Sequence, residues 1–191
     1  MESQIGTIVL VGFMGAGKST GARSLAAELG GQALDSDREV EQIIGEPIES
    51  FFDREGEAAF RAREEEVVCD LLARDDAQVI ALGGGAVQSE RVRDALTRHT
   101  VVHLEIAPED AWRRASGKGR PLARDPGRFE ALWRDRRALY ESVSDAVVPP
   151  ADRDALRRAL EHLADLELDS RGGRAVPEDT AALRTLLRVT A

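Results

Sequence analysis

The strongest constraint on this chain is a glycine-rich segment between an apolar run and a helical pattern. Residues 12–20 read Gly-Phe-Met-Gly-Ala-Gly-Lys-Ser-Thr, which fits G-x-x-x-x-G-K-[ST] without a mismatch. The preceding run Thr7–Val11 predicts a strand, and the pattern Lys18–Leu29 predicts a helix. Such glycines let backbone N–H groups converge on phosphate oxygens, which a helix N-terminus also attracts. The segment therefore predicts a nucleotide site, with Lys18 directed at the terminal phosphates and the Ser19 hydroxyl at Mg²⁺.

Composition excludes several classes of protein. The 191 residues carry a formal net charge of −9, which argues against non-specific nucleic-acid binding through a basic face. The apolar runs are far shorter than the ~20 residues of a membrane span, and the N-terminus has no basic leader region. Cys69 is the only cysteine, so no intramolecular disulfide forms. We expect a cytoplasmic protein without membrane or nucleic-acid partners, and a monomer because no apolar seam is evident.

Short apolar runs alternate with helical patterns, which is typical of βαβ units and a parallel sheet. The region 37–74 is rich in helical pattern without a strand and is interpreted as an insertion on the sheet. Residues 116–128, with their glycines, prolines and basic residues, predict a flexible lid, although an ordinary polar loop remains an alternative. The strand candidates are Thr7–Val11, Ala33–Asp35, Val79–Leu82, Thr100–Glu105 and Ala146–Val148.

Residues 1–168 are predicted to form one domain, followed by a tail over 169–191. The tail includes a possible short helix from Pro177 to Val189 and is otherwise interpreted as a linker remnant, an interaction segment or disorder. The sequence does not choose among these.

A carboxylate for the metal is missing from the end of Val79–Leu82, which runs into three glycines. The predicted strand Ala33–Asp35 instead ends in Asp35-Ser36-Asp37. Because the carboxyl ends of parallel strands gather around the phosphate loop, Lys18, Asp35 and Asp37 are expected in one crevice. A helix-capping role for Asp37 remains an alternative.

Further motifs follow in order between Gly12 and Tyr140: DSD, F-x(3)-GE-x(2)-FR-x(2)-E, GGG, RPL and R-x(2)-LY. With the phosphate loop, this series resembles the shikimate kinases, members of the nucleoside monophosphate kinase-like P-loop group, over about residues 5–166. The resemblance implies an α/β fold with a five-stranded parallel sheet flanked by helices, a three-layer sandwich with a lid. It also implies transfer of phosphate from MgATP to the 3-hydroxyl of shikimate.

The resemblance further implies a role for individual residues. Phe52 and Phe60 would wall the acceptor pocket, Glu64 would orient Arg61, and Asp35 would act on the metal through water. The residues implied to hold shikimate are Asp37, Arg61, Gly83, Gly84, Gly85 and Arg136. The loop residues expected to contact the nucleotide are Gly15, Ala16, Gly17, Lys18, Ser19 and Thr20.

Two arginines implied by the resemblance belong to the segment around the lid. Arg120 would descend with the lid onto the transferring phosphates, which makes Lys18, Asp37 and Arg120 the expected catalytic residues. Arg114 would pack on adenine, with Arg113 left open as its alternative.

The chemistry of the substrate agrees with these residue types. Shikimate carries one carboxylate and three hydroxyls, and two arginines recognise a carboxylate through planar, two-point hydrogen bonds. Two other functions stay open from sequence. One is a related small-molecule kinase such as a gluconate-type kinase, and the other is a non-catalytic nucleotide-binding module.

Overall fold

The structure is a computed structural model that describes residues 7–74, 79–117, 120–149 and 154–160, together with the backbone of residues 187–188. Its strands are β1 (Ile8–Val11), β2 (Ala33–Asp35), β3 (Val79–Ala81), β4 (Thr100–Leu104), β5 (Ala146–Val148) and β6 (Leu187–Arg188). Its helices are α1 (Lys18–Glu28), α2 (Ser36–Ile44), α3 (Ile48–Leu72), α4 (Glu90–Leu96), α5 (Pro108–Ala115), α6 (Pro126–Val143) and, over residues 154–160, α7.

The strands form one parallel sheet in the order β2-β3-β1-β4-β5-β6, flanked by the helices. Central strand β1 is buried at every position, as expected of a strand covered on both faces. Strands β2 and β3 lie on one side of β1, and β4, β5 and β6 lie on the other side. The chain therefore builds one half of the sheet first and then crosses β1 to build the other. In such sheets, ligands bind beyond the carboxyl ends of the strands, where the direction of winding reverses. The predicted parallel α/β fold is confirmed.

A short sixth strand extends the five that the sequence predicts. Leu187 and Arg188 pair in parallel with Ala146 and Val147 of β5. The outer edge of β5 would otherwise present unpaired backbone groups, and a further strand satisfies them. The prediction of a helix through Pro177–Val189 is therefore wrong for these two residues, whereas the rest of the tail lies outside the described residues.

Two helices have features that bear on the site. Helix α3 spans Ile48–Leu72 as two helical segments that meet at a kink, where Gly56 has a non-helical φ of 84° and ψ of 173°. Helix α6 begins at Pro126, inside the range 116–128 predicted as a lid, because the Asp125 carboxylate accepts the Arg128 N–H at 2.7 Å and caps it. Residues 118 and 119 of that range lie outside the described residues.

Aromatic rings of α5 and α6 pack in a row that ends on Phe13 of the phosphate loop. Phe13 meets Phe129 of α6 edge-on at 5.0 Å between ring centroids, and Phe129 meets Trp112 of α5 in the same way at 5.1 Å. Phe13 and Phe129 are both buried. Packing of this kind ties the loop to the helices on either side of the predicted lid. None of the described helices combines the length and apolar character that a membrane span requires.

Candidate active site

The glycine-rich loop runs from the end of β1 to the start of α1. Gly17 sits at the N-terminus of α1 with φ of 90°, a left-handed conformation that favours glycine, and no side chain caps the helix there. The first N–H groups of α1 are thus left for a ligand, and they suit an anion. The Lys18 ammonium donates to the carbonyls of Gly12 at 2.7 Å and Phe13 at 3.1 Å, which folds its side chain back over the loop.

Two carboxylates lie beside this loop, Asp35 at the end of β2 and Asp37 in the first turn of α2. The Asp35 carboxylate accepts the Asp37 N–H at 3.1 Å and caps α2, so the capping role belongs to Asp35 and leaves the Asp37 side chain in the cleft. Asp37 is exposed to the solvent in the cleft. Desolvation by the surrounding walls of the cleft nevertheless disfavours its charged form and raises its pKa to about 6, although the positive charge of Lys18 opposes the rise. Burial also lowers the pKa of Lys18 to about 8.

A hydrogen bond joins the ends of β2 and β3. The buried Ser36 hydroxyl accepts the Gly83 N–H at 2.7 Å. Gly83 does not line the cleft, since it lies behind two acidic side chains: an added Cβ would come within 2.5 Å of Asp37 Oδ1 and 2.7 Å of Glu64 Oε1. Gly83 is therefore placed to support Asp37 rather than to touch a ligand directly.

Arg61 projects from α3 toward the glycines that follow β3. Its guanidinium donates to the buried Glu64 carboxylate and to Glu57 at 3.3 Å, and it lies 5.1 Å from the Phe60 ring centroid. It also packs directly on Gly85, where an added Cβ would stand 2.0 Å from Nη1. A side chain at position 85 would therefore push Arg61 out of its place.

Arg136 of α6 approaches the same glycines from the other side and is 1% exposed. Its Nη1 donates to the Gly84 carbonyl at 3.2 Å and its Nη2 to the Gln88 side-chain oxygen at 2.9 Å. The Gly84 carbonyl also accepts the Tyr140 hydroxyl at 2.5 Å. Burial lowers the pKa of Arg136 from its usual high value. The guanidinium is still a cation, because arginine is too basic to be deprotonated in a protein.

The arginines around the predicted lid occupy different places. Arg114 lines the cleft and donates to the Gly15 carbonyl at 3.2 Å, at the rim of the phosphate loop. Arg113 points to the surface and pairs with Asp110, with 73% of its side chain exposed. Arg120 lines the cleft, and its positive charge acts on both Lys18 and Asp37. Of the two candidates for adenine packing, the structure brings only Arg114 to the cleft.

One cleft of about 780 Å³ unites the two halves of the site. Ala16 is buried within the loop and, like Gly83, is not part of the cleft wall. Among the residues that the structure describes, in the cleft or outside it, no group of three or more His, Cys, Asp or Glu side chains could hold a metal ion. The predicted site residues that line the cleft are Gly15, Gly17, Lys18, Ser19, Thr20, Asp35, Asp37, Phe52, Phe60, Arg61, Gly84, Gly85, Arg114, Arg120 and Arg136.

Comparison with known proteins agrees with this geometry. The family model described as shikimate kinase matches residues 14–167. The chain belongs to the shikimate kinase family. A shikimate kinase of Mycobacterium marinum is 49% identical over 140 residues, which cover 71% of this chain and 76% of that relative. The structure of a shikimate kinase from Acinetobacter baumannii in complex with shikimate aligns with a TM-score of 0.80 at 35% identity, covering 87% of this chain and 97% of that one.

Membership of the shikimate kinase family also bears on the alternatives. A gluconokinase from Sinorhizobium meliloti aligns over 89% of this chain and 98% of its own with a TM-score of 0.58, but at 19% identity. At that identity the likeness shows a shared fold alone. The shikimate kinase interpretation is therefore favoured over a gluconate-type kinase and over a non-catalytic module.

Sequence reasoning missed several residues of this shikimate kinase cleft. Glu41, Pro47, Ile48 and Glu49 line it from the region where α2 ends and α3 begins. Ile48 stands four residues before Phe52 in a region of helical pattern, and because residues at that spacing share one helix face, this was the available signal for Ile48. Met14 of the loop also lines the cleft, and Gln88 contacts Arg136, yet neither carries a signal in a single sequence.

Proposed function

We propose that this protein transfers the terminal phosphate of ATP to the 3-hydroxyl of shikimate. One observation carries the proposal: a single cleft holds a phosphate-binding loop at one end and two guanidinium groups, Arg61 and Arg136, at the other. Asp37 lines the same cleft together with both. The family of the chain and its likeness to a kinase solved with shikimate support the same reaction.

Arg61 and Arg136 are assigned to the acceptor carboxylate. Both guanidinium groups border the glycines at 84 and 85, one from α3 and the other from α6. Charge-assisted, two-point hydrogen bonds hold a carboxylate in a fixed plane, which a lysine does not do. Phe52 and Phe60, 5.4 Å apart between ring centroids, form an apolar wall for the ring of the acceptor.

Asp37 is assigned to the attacking hydroxyl. Its carboxylate accepts the hydroxyl hydrogen bond, orients the oxygen toward the terminal phosphate, and takes up the proton as the new bond forms. A pKa of about 6 keeps most of the group ionised at neutral pH and makes it a better proton acceptor than an ordinary aspartate. Little proton abstraction is needed, because positioning and charge stabilisation dominate phosphoryl transfer.

The phosphates are assigned to the loop and two cations. Backbone N–H groups over Gly15–Thr20 would cradle the phosphates of ATP, and Lys18 would leave its carbonyl partners to reach the terminal ones. Arg120 would stabilise the charge that develops on the transferring group. Arg114, beside the loop, is assigned to the adenine face.

The donor atoms near the loop fit Mg²⁺. The Ser19 hydroxyl and the Asp35 carboxylate line the cleft beside Lys18, and hard oxygen donors of this kind suit a Mg²⁺ that keeps several waters. Ser19 would hold the ion directly and Asp35 through a water. Mg²⁺ bound with ATP supplies charge neutralisation on the phosphate oxygens.

Residues 1–168 are proposed to form the kinase domain, with acceptor binding by the insertion over 37–74 and closure by 116–128. A cytoplasmic location is proposed because the reaction consumes ATP. The monomeric state remains a prediction, which size-exclusion chromatography with light scattering tests.

An acceptor panel tests the proposed function. ADP release is measured with MgATP and shikimate, gluconate or no acceptor, with Lys18→Ala as the matched inactive control. We expect shikimate alone to stimulate ADP release above the acceptor-free rate. Equal or greater stimulation by gluconate would refute the substrate assignment, and ADP release independent of any acceptor would refute the transfer reaction.

A further inference from the structure

Gln88 lies outside every motif of the sequence, yet it contacts a central residue of the cleft. It ends the 3₁₀ turn Ala86–Gln88 that follows the three glycines, and its N–H donates to the Gly85 carbonyl at 2.9 Å. Its own carbonyl accepts Arg93 Nη1 at 2.9 Å. These two bonds hold the backbone of Gln88, and its side-chain oxygen accepts Arg136 Nη2 at 2.9 Å although the residue as a whole is exposed.

The surroundings of Arg136 differ from those of Arg61. Arg61 is paired with the carboxylates of Glu57 and Glu64. Arg136, by contrast, meets two neutral oxygens, the Gly84 carbonyl and the Gln88 amide, and no carboxylate among the described residues forms an ion pair with it. The carboxylates of Glu64 and Glu57 act on its charge only at longer range, so no described carboxylate occupies the guanidinium itself.

The hydrogen bonds also leave part of the guanidinium available. Of its five N–H donors, one on each Nη is used by these two acceptors, while the buried Nε has no partner among the described residues. The Gly84 carbonyl accepts from both Arg136 and the Tyr140 hydroxyl, whereas the Gln88 side-chain oxygen accepts from Arg136. A buried donor without a partner is costly, and a bound carboxylate would satisfy it.

We propose that Gln88 is a positioning residue for Arg136: it fixes the plane of the guanidinium without forming an ion pair, so that the guanidinium stays free to pair with the acceptor carboxylate. The inference rests on the proposed function, which assigns Arg136 to that carboxylate. A neutral acceptor is the essential feature. A carboxylate at position 88 would hold the guanidinium equally well but would compensate its charge and compete with the substrate.

Two variants test separately whether position 88 needs a hydrogen-bond acceptor and whether that acceptor must be neutral. Gln88→Leu removes the acceptor at similar size, whereas Gln88→Glu keeps an acceptor and adds a charge. Gln32→Leu is the matched control, because Gln32 is exposed and stands just before β2, at the opposite end of that strand from Asp35. For each protein, kcat and KM are measured with shikimate, with its neutral methyl ester and with ATP, and thermal unfolding checks the fold.

The expected result is a selective loss of affinity for the anionic acceptor. Gln88→Leu should raise KM for shikimate about tenfold, the scale of one hydrogen bond to a charged group. The KM for ATP and kcat should change little, and the ester should lose much less than shikimate does. Gln88→Glu should also raise KM for shikimate, with the ester again affected least. Gln32→Leu should match the wild type throughout.

Any one of three outcomes would overturn this inference. The first is an equal loss of affinity for shikimate and for the ester, the second is wild-type affinity for shikimate in Gln88→Glu, and the third is an unchanged KM for shikimate in Gln88→Leu. Should Gln88→Leu fail to fold, the comparison of shikimate with the ester in Gln88→Glu decides alone. Wild-type protein that does not phosphorylate shikimate would refute the proposed function instead, so the two failures are distinct.

Discussion

The loss of kinase activity at acid pH is the most informative test of the role assigned to Asp37. Desolvation by the walls of the cleft raises the pKa of this carboxyl from its ordinary value of 3.8 to about 6. The ionised form is the one that accepts the hydroxyl proton, so activity must fall as pH drops through this pKa. With a pKa of about 6, roughly one-tenth of the groups are ionised at pH 5 and nearly all at pH 7.5.

The wild-type kcat/KM for shikimate, measured by ADP release at saturating ATP, should therefore fall about tenfold from pH 7.5 to pH 5. With an ordinary aspartate pKa, kcat/KM would decrease by less than about 10% over the same range.

Asp37→Asn provides the baseline for this experiment. At pH 7.5 the substitution should lower kcat by about 10²-fold, the scale of a positioned acid–base group, and leave ATP binding nearly unchanged. Phosphate groups also titrate near pH 6, so any loss of activity at acid pH that remains in Asp37→Asn is assigned to the nucleotide. A wild-type activity that does not change between pH 5 and 7.5, or the same acid loss in both proteins, would refute the role given to Asp37.

Three further predictions concern other parts of the molecule. Lys18→Ala should abolish turnover with a native far-UV circular dichroism spectrum, and near-normal kcat would contradict the assignment of the phosphate loop. Arg136→Lys loses the planar fork and should weaken shikimate binding by about 1.5–3 kcal/mol, or roughly ten- to a hundredfold, while KM for ATP changes much less. Deletion of residues 169–191 removes the β6 pairing from the edge of β5 and should lower the melting temperature, but kcat should persist because the cleft lies beyond β1, β2 and β3. Loss of kcat in a folded truncation would show that the tail contributes to the site.

Local signals predicted the elements that bear the chemistry. A strand, a glycine-rich loop and a helix in direct succession specify the phosphate cradle, because the loop geometry depends on residues within a few positions of one another. The Asp-Ser-Asp after β2 is similarly local, and Asp35 does cap α2. The parallel order of the strands follows from their alternation with helices.

Contacts between distant segments escaped prediction because nothing in one sequence links their members. Arg124, just after the 3₁₀ turn Pro121–Ala123, makes a two-point ion pair with Asp53 at 2.8 and 2.9 Å and also reaches Glu49 at 2.9 Å. These bonds tie the segment interpreted as a lid to the helix of the acceptor side, across more than seventy residues of chain. The bond from Arg136 to Gln88 is another of this kind.

Boundary errors have a physical cause of their own. Helix α6 begins at Pro126 because proline suits the first turn of a helix and Asp125 caps it, although Gly127 and the nearby basic residues have the composition of a loop. The strand at Leu187–Arg188 is fixed by pairing with β5, so the tail alone gives little sign of it.

The position of the transferred phosphate tests the central proposal most directly. Wild-type protein is incubated with MgATP and shikimate, and the product is examined by ³¹P–¹H correlation NMR. The account predicts one phosphorylated product, with its phosphorus coupled to the proton on the carbon that bears the 3-hydroxyl, formed in equal amount to ADP. A phosphate on another hydroxyl, or ADP with inorganic phosphate and unchanged shikimate, would contradict it.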